Sequence, residues 1–153
     1  MKKQLYLLAF LCLSGMAGLA QTAMDSLDVT GTVNAFVDAF SNLKWDEFSA
    51  CFDERATAFF PPSARFPSRA NGKEEILGIF KNVFENARKQ KDSPPYISIH
   101  PMGARVQLAG SVAVVTFMLE DPTLFGRRTL VLQKEGGKWL IIHLHASGVA
   151  LIK

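Results

Sequence analysis

Cysteine is scarce in this chain, which has two cysteines, Cys12 and Cys51, among 153 residues. Cys12 lies in an apolar N-terminal segment, so a domain that begins after this segment has one thiol and forms no internal disulfide. Charge is sparse as well, because charged residues make up 20% of the chain and hydrophobic residues 48%. These fractions exclude a disordered tail or a coiled coil and predict one globular domain with an apolar core.

The excess of positive charge is small and comes largely from the N-terminus. Without Lys2 and Lys3, the 17 basic residues fall to 15, against 14 acidic ones. The sequence has no stripe of Lys and Arg with interleaved aromatic residues, so nucleic acid is not expected as a partner. It also has no internal repeat and no low-complexity block, which excludes repeat proteins and linkers.

Residues 1–20 have the pattern of a secretory signal peptide. Lys2 and Lys3 form a basic start, an uncharged and largely apolar run follows from Leu5 to Ala20, and Gly18-Leu19-Ala20 supplies small residues for cleavage. This run is shorter than the roughly 20 residues of a membrane-spanning helix. We expect export to the periplasm or the medium without a stable membrane anchor; an uncleaved anchor is the alternative.

Apolar residues at helical spacing predict three helices in the next part of the chain. The stripe of the first helix is formed by Val29, Val33, Phe36, Val37 and Phe40. A shorter helix follows over Trp45–Phe52, then a strand over Ala56–Phe60 and a loop over 61–70. The third helix begins at Asn71-Gly72, and its apolar stripe is formed by Ile76, Leu77, Phe80, Val83, Phe84 and Ala87.

From Tyr96 onward the apolar period becomes two, which predicts strands. We expect one bent strand over 96–109, a second over Ser111–Glu120, and two more over Arg127–Lys134 and Lys138–Ala150. Gly136-Gly137 joins the last two as a tight hairpin. The order of elements predicts an α+β fold in which helices pack on one face of an antiparallel sheet.

Four local patterns resemble the SnoaL-like members of the nuclear transport factor 2-like superfamily. They are Trp45-Asp46-Glu47-Phe48 with Cys51-Phe52-Asp53-Glu54-Arg55-Ala56-Thr57, Phe59-Phe60-Pro61, Gly72-Lys73-Glu74-Glu75-Ile76, and the last hairpin from Arg127-Arg128-Thr129-Leu130 to His143-Leu144-His145-Ala146-Ser147. The hairpin is the most specific of the four. The resemblance assigns a SnoaL-like domain to residues 26–150, after the signal peptide over 1–20 that the N-terminal pattern predicts.

This resemblance implies a curved antiparallel sheet that forms a cone, wrapped by about three N-terminal helices, with a ligand pocket at its open end. Members of the superfamily include isomerases, cyclases, dehydratases, hydrolases and non-catalytic domains, so the fold does not single out a reaction. Three hypotheses stay open: an exported module that binds a small apolar or weakly acidic molecule, a cofactor-independent lyase or isomerase, and a non-catalytic homodimeric interaction domain.

Five residues of the last strand share one face by the two-residue period: Trp139, Ile141, His143, His145 and Ser147. The resemblance places this face inside the cone. An imidazole titrates near neutral pH, which makes His143 and His145 candidate catalytic acids or bases. The alternative is that both histidines only form hydrogen bonds with core or interface neighbours.

Candidate ligand-binding residues are Arg127, Trp139, Phe59, Ser147 and Arg69. Arg127 is suited to pair with a carboxylate or to stabilise an oxyanion. Arg69 lies with Arg65 and Phe66 in the loop that we expect over the mouth of the cone, where a guanidinium clamps an anion. A solvated loop is the alternative.

The hairpin leaves two registers open. Pairing of Glu135 with Lys138 puts Arg128 beside the histidines, whereas a one-residue bulge at Gly136-Gly137 puts Arg127 there. We predict the bulge, and therefore Arg127, with Trp139 nearer the closed end of the cone.

Neither a metal nor a cofactor is predicted. His143 and His145 supply two imidazoles, but a zinc site needs a third protein ligand. A homodimer is predicted, because the strand Ser111–Glu120 is apolar on both faces and the helices cover only one of them. An uncovered apolar face of this size is typical of an interface.

Export predicts that the secreted protein lacks residues 1–20. We expect an intact mass equal to that of a 133-residue chain beginning at Gln21. The measurement is mass spectrometry of protein recovered outside the cytoplasm. A cytoplasmic chain that still begins with Met1 would contradict the prediction.

Overall fold

The computed structural model describes residues 2–61, 67–120 and 124–150. Arg65 and Phe66 of the predicted loop lie outside the described residues. The elements are α1 (Lys2–Ser41), α2 (Trp45–Ala50), β1 (Phe52–Phe59), β2 (Arg69–Asn71), α3 (Lys73–Gln90), β3 (Pro101–Ala109), β4 (Val112–Glu120), β5 (Leu124–Glu135) and β6 (Lys138–Ala150).

The six strands form one curved, open sheet in the order β2-β1-β6-β5-β4-β3. Antiparallel pairs join β2 to β1, β6 to β5, β5 to β4 and β4 to β3. The pair of β1 and β6, the first strand and the last one of the chain, is parallel. The predicted fold class, α+β with helices wrapped around a curved sheet, is confirmed.

Several boundaries differ from the sequence prediction. β1 begins at Phe52, the last residue of the predicted second helix, because Phe52 pairs with Ile141 of β6. β2 occupies part of the predicted loop and is too short to show a period of two. Residues 96–100 are not in a strand, and β5 begins at Leu124, before the predicted Arg127.

α1 spans 40 residues, more than the helix predicted from the apolar stripe. The stripe packs as expected, because Val29, Val33 and Phe36 are buried. Among the residues that the structure describes, no helix is long and apolar enough to cross a membrane. The cleavage predicted near Ala20 stays a prediction.

Phe48 of α2 is the centre of the aromatic core. Its side chain is fully buried, and its ring lies 5.3 Å from that of Phe36, 5.3 Å from that of Phe52 and 4.8 Å from that of Phe80, measured between centroids. These rings come from both long helices and from β1. The cluster therefore fixes the helices against one face of the sheet.

The helices pack against only one of the two faces of the described sheet. On β4, Ala113, Val115 and Phe117 are buried against the helices, on what we call the inner face. Val112 and Val114 alternate with them and are only half-buried, on what we call the outer face. Within the described residues, the helices cover the inner face alone.

A one-residue bulge in β6 decides which side chains reach the inner face. Leu132 of β5 pairs with Ile141, whereas its neighbour Val131 pairs with His143. Ile142 is therefore an extra residue without a partner in the ladder. A bulge of this kind reverses the alternation of faces beyond it.

The reversal contradicts the predicted face of the last strand. Before the bulge, the side chains buried on the inner face are Trp139 and Ile141. Beyond it, they are Leu144 and Ala146. The outer face then receives His143, His145 and Ser147. The prediction that these three residues share a face with Trp139 and Ile141 is wrong, because it assumed an unbroken period of two.

Candidate functional site

A cavity of about 300 Å³ lies between the inner face of the sheet and the helices α1 and α3, and we call it the inner cavity. Its volume is at the lower end of the range for small-molecule sites, roughly 300–1,000 Å³. Its walls are mostly aromatic and aliphatic. The described residues that line it are Phe36, Val37, Phe40, Phe60, Pro61, Phe80, Ile97, Ile99, Phe117, Leu119, Arg128, Leu144 and Ala146.

Arg128 is the one charged residue among the described residues that line the inner cavity. It is in phase with Leu130 and Leu132, which are fully buried, so β5 turns all three toward the inner face. Its Nη1 donates hydrogen bonds to the backbone carbonyls of Arg127 and Ser147, at 2.9 and 3.0 Å. Burial lowers the pKa of the Arg128 guanidinium.

Gly126 leaves room for this guanidinium. The glycine is buried, and a Cβ at its position would stand 3.2 Å from Nη1 of Arg128. That distance is shorter than an ordinary van der Waals contact between such atoms. The lack of a side chain at Gly126 therefore lets Arg128 lie close along β5.

The structure places the predicted catalytic pair away from the inner cavity. His143 and His145 lie on the outer face, as does the exposed Arg127, which pairs with Ser147 in the ladder. Their predicted position inside the cone is wrong. The predicted bulge at Gly136-Gly137 is wrong, because Glu135 pairs directly with Lys138. The bulge at Ile142 instead brings Arg127 to the face of the histidines, and that face points outward. No observation tests the catalytic and binding roles themselves, which stay predictions.

Several predicted site residues do lie together on the outer face. His143 Nδ1 forms a hydrogen bond of 2.7 Å with Oγ1 of Thr57, in which the donor depends on the tautomer. The ring of Phe59 is 5.5 Å from that of His143 and 6.1 Å from that of His145, in edge-on contact. The guanidinium of Arg69 lies over the same Phe59 ring, at 5.8 Å.

Trp139 is buried on the inner face but does not line the inner cavity. Lys134 Nζ lies 5.8 Å from the centre of its ring and forms an ion pair with Asp25 of α1. The indole Nε1 is buried without a hydrogen-bond partner among the described residues. Trp139 therefore belongs to the packing between β6 and the neighbouring side chains rather than to the ligand space.

The acidic residues near the start of β1 serve structural contacts. Asp53 is buried and accepts hydrogen bonds from the backbone N and the Nε of Arg55, at 2.8 and 3.1 Å. The hydrogen bond from the Arg55 side chain is the largest cause that lowers the pKa of Asp53. Among the described residues, no group of three His, Cys, Asp or Glu side chains is placed to hold a metal ion.

Sequence reasoning missed part of the cavity wall. Ile97 and Ile99 line it from the segment between α3 and β3, which we predicted to be part of a strand without assigning these two side chains to the cavity. Arg128 had a usable signal, because Leu130 and Leu132 make its side of β5 more apolar than the side of Thr129.

The sequence model of one protein family, described as a SnoaL-like domain, matches residues 29–152. This match covers most of the chain, including the C-terminal part of α1, the helices α2 and α3 and the whole sheet. A search of curated proteins finds no match.

Many solved structures share the fold. A nuclear transport factor 2-like protein with a cystatin-like fold from Novosphingobium aromaticivorans is 10% identical, with a TM-score of 0.71 over 88% of each chain. A candidate dehydratase from Streptomyces avermitilis is 18% identical, with a TM-score of 0.70 over 84% of this chain and 98% of its own. A candidate ketosteroid isomerase from Parabacteroides distasonis is 21% identical, with a TM-score of 0.58 over 76% of this chain and 84% of its own. Similarity at these identities shows the fold alone.

The contact between the two histidines of the outer face allows a prediction about the pKa of His143. Burial lowers the pKa of His143, and the neighbouring His145 lowers it further. Replacing His145 by glutamine removes the second cause, so the pKa of His143 should rise toward its ordinary value. Nuclear magnetic resonance of the imidazole protons across a pH series measures it. His100→Gln, a matched loss of one imidazole, should leave the pKa of His143 unchanged, and an equal effect of both variants would contradict the contact.

Proposed function

The chain belongs to the SnoaL-like domain family, and from this premise we propose that it binds a small, largely apolar molecule in the inner cavity. The observation that carries the proposal is an aromatic and aliphatic space of about 300 Å³ between the sheet and the helices. Apolar walls with few polar groups are typical of small-molecule sites. With the export predicted from residues 1–20, the binding takes place outside the cytoplasm.

The apolar walls support this proposal energetically. Phe36, Phe40 and Phe80 each contribute an aromatic ring, and an apolar ligand that contacts them leaves water. Removal of apolar surface from water contributes roughly 25 cal/mol per Å². The lining is therefore suited to a ligand whose body is mostly hydrocarbon.

A lyase or isomerase that uses histidines inside the cavity is the alternative that the geometry does not favour. Among the described residues, no imidazole and no carboxylate lines the inner cavity. A catalytic acid or base has to reach the substrate within hydrogen-bonding distance. The guanidinium of Arg128 binds and polarises but does not transfer protons at neutral pH. Binding is therefore the function that we propose for this cavity.

A specific observation favours a second property, which is self-association through the outer face. Val114 of β4 lies directly opposite Val131 of β5 on this face, and both side chains are only half-buried. Thr116 and Thr129 form the next pair of the same face, so its centre is uncharged. We propose that a second copy of the chain covers these residues in a symmetric homodimer.

The inner cavity predicts that the protein binds a neutral apolar dye. N-phenyl-naphthylamine should gain fluorescence when it enters the cavity. Leu119→Trp, which extends a lining side chain into this space, should weaken its binding by about tenfold or more, because the ring displaces the dye from its apolar contacts. Fluorescence titration gives the Kd.

The matched control is Leu108→Trp, the same change at a half-buried leucine outside the inner cavity. This variant should bind the dye as the unaltered protein does. Equal losses in both folded variants, or no dye binding by the unaltered protein, would contradict the proposed site.

The homodimer predicts a strong effect of one charge on the outer face. Val114→Lys should convert the dimer to a monomer at micromolar concentration, because two lysines would meet across the interface without an acidic partner. Sedimentation velocity measures the mass. Asn86→Lys, on the exposed side of α3, adds the same charge and should leave the dimer intact. A monomeric unaltered protein would contradict self-association.

A further inference from the structure

Arg128 is a positive charge in apolar surroundings. It enters the inner cavity from β5, and its partner in the ladder, Ala146, lines the same wall. Its partner on the other side, Phe117 of β4, lines the cavity as well, and the ring of Phe36 from α1 belongs to the same apolar lining. Arg128 is half-buried, and a partly desolvated cation in such a space is costly unless an anion or several hydrogen-bond acceptors compensate it.

In the part of the chain that the structure describes, no side chain supplies that compensation. Within the described residues, no carboxylate lies in ion-pair distance of Arg128, and the ion pairs of the protein use other cations: Lys44, Arg55, Lys73 and Lys134. Among the described residues, the hydrogen bonds of the Arg128 side chain come from Nη1 and go to two neutral backbone carbonyls. A guanidinium has five N–H donors, so donors remain for another acceptor.

The guanidinium is also held in place. Its two bonds to the backbone of Arg127 and Ser147 tie it to adjacent strands, and Gly126 gives it space along β5. A cation that is fixed before the ligand arrives loses little side-chain freedom on binding. The guanidinium is therefore held in a defined position at the wall of an apolar cavity.

We propose that Arg128 selects ligands that carry one carboxylate on an apolar body. This inference rests on the proposed function, because it names the class of molecule that the inner cavity takes. A planar guanidinium matches a carboxylate with two parallel hydrogen bonds. One cation neutralises one negative charge, so a dianionic phosphate would keep an uncompensated charge in the apolar space. The hydrocarbon body fills the aromatic part of the cavity.

The test compares an acid with its uncharged amide. Phenylbutanoate and phenylbutanamide have nearly the same shape and differ in charge, and each is titrated against the purified protein as a competitor of N-phenyl-naphthylamine at neutral pH. The acid should bind about tenfold tighter or more, which is the usual order for hydrogen bonds to a charged group. Arg128→Gln should remove this preference and leave the affinity for the amide unchanged.

Arg127→Gln is the matched control, because it removes the same charge from the next residue of β5, whose side chain lies on the outer face. The preference for the acid should persist in this variant. Equal binding of acid and amide by the unaltered protein, or a preference for the acid that persists in Arg128→Gln, would overturn the role of Arg128. In either case, binding of the dye would still support the proposed function. If neither the dye nor the amide binds, the proposed function fails and this inference fails with it.

Discussion

The unpaired Ile142 in β6 is the constraint on which the arrangement of the site depends. Because this residue is extra in the ladder, the side chains beyond it change faces. Leu144 and Ala146 thereby face the helices and complete the wall of the inner cavity, while the two histidines of the strand face outward. Without the bulge, imidazoles would occupy the apolar wall, and the cavity would have a different chemistry.

The fold could be predicted from the sequence because the patterns that indicate its elements are spread over many residues. Helical stripes such as Val29, Val33 and Phe36, and the Gly136-Gly137 turn, each specify a local element, and an error in one boundary does not change the others. The short β2 and the parallel contact of β1 with β6 were not predicted, because three residues show no period and a non-local pair leaves no local signal.

The candidate site was harder to predict because it depends on which residues of β6 face the helices, and one extra residue in the strand changes all of those beyond it. One bulge at Ile142 reverses the face of every side chain beyond it, and nothing in the sequence marks that residue. The glycines of the turn are the more obvious position for a bulge, which is why we predicted it there. The phase of β5 was the better guide. Arg128 alternates with Thr129 and is in step with Leu130 and Leu132, two fully buried residues, so its inward direction follows from apolar patterning.

The central claim is that Arg128, and not the histidines, is the polar group that meets a ligand in this domain. Nuclear magnetic resonance of isotope-labelled arginine and histidine side chains tests it most directly, with phenylbutanoate added at constant pH. The account predicts that the guanidinium resonances of Arg128 shift as the acid binds, while the imidazole resonances of His143 and His145 do not. Shifted imidazole resonances beside an unchanged Arg128 would contradict it.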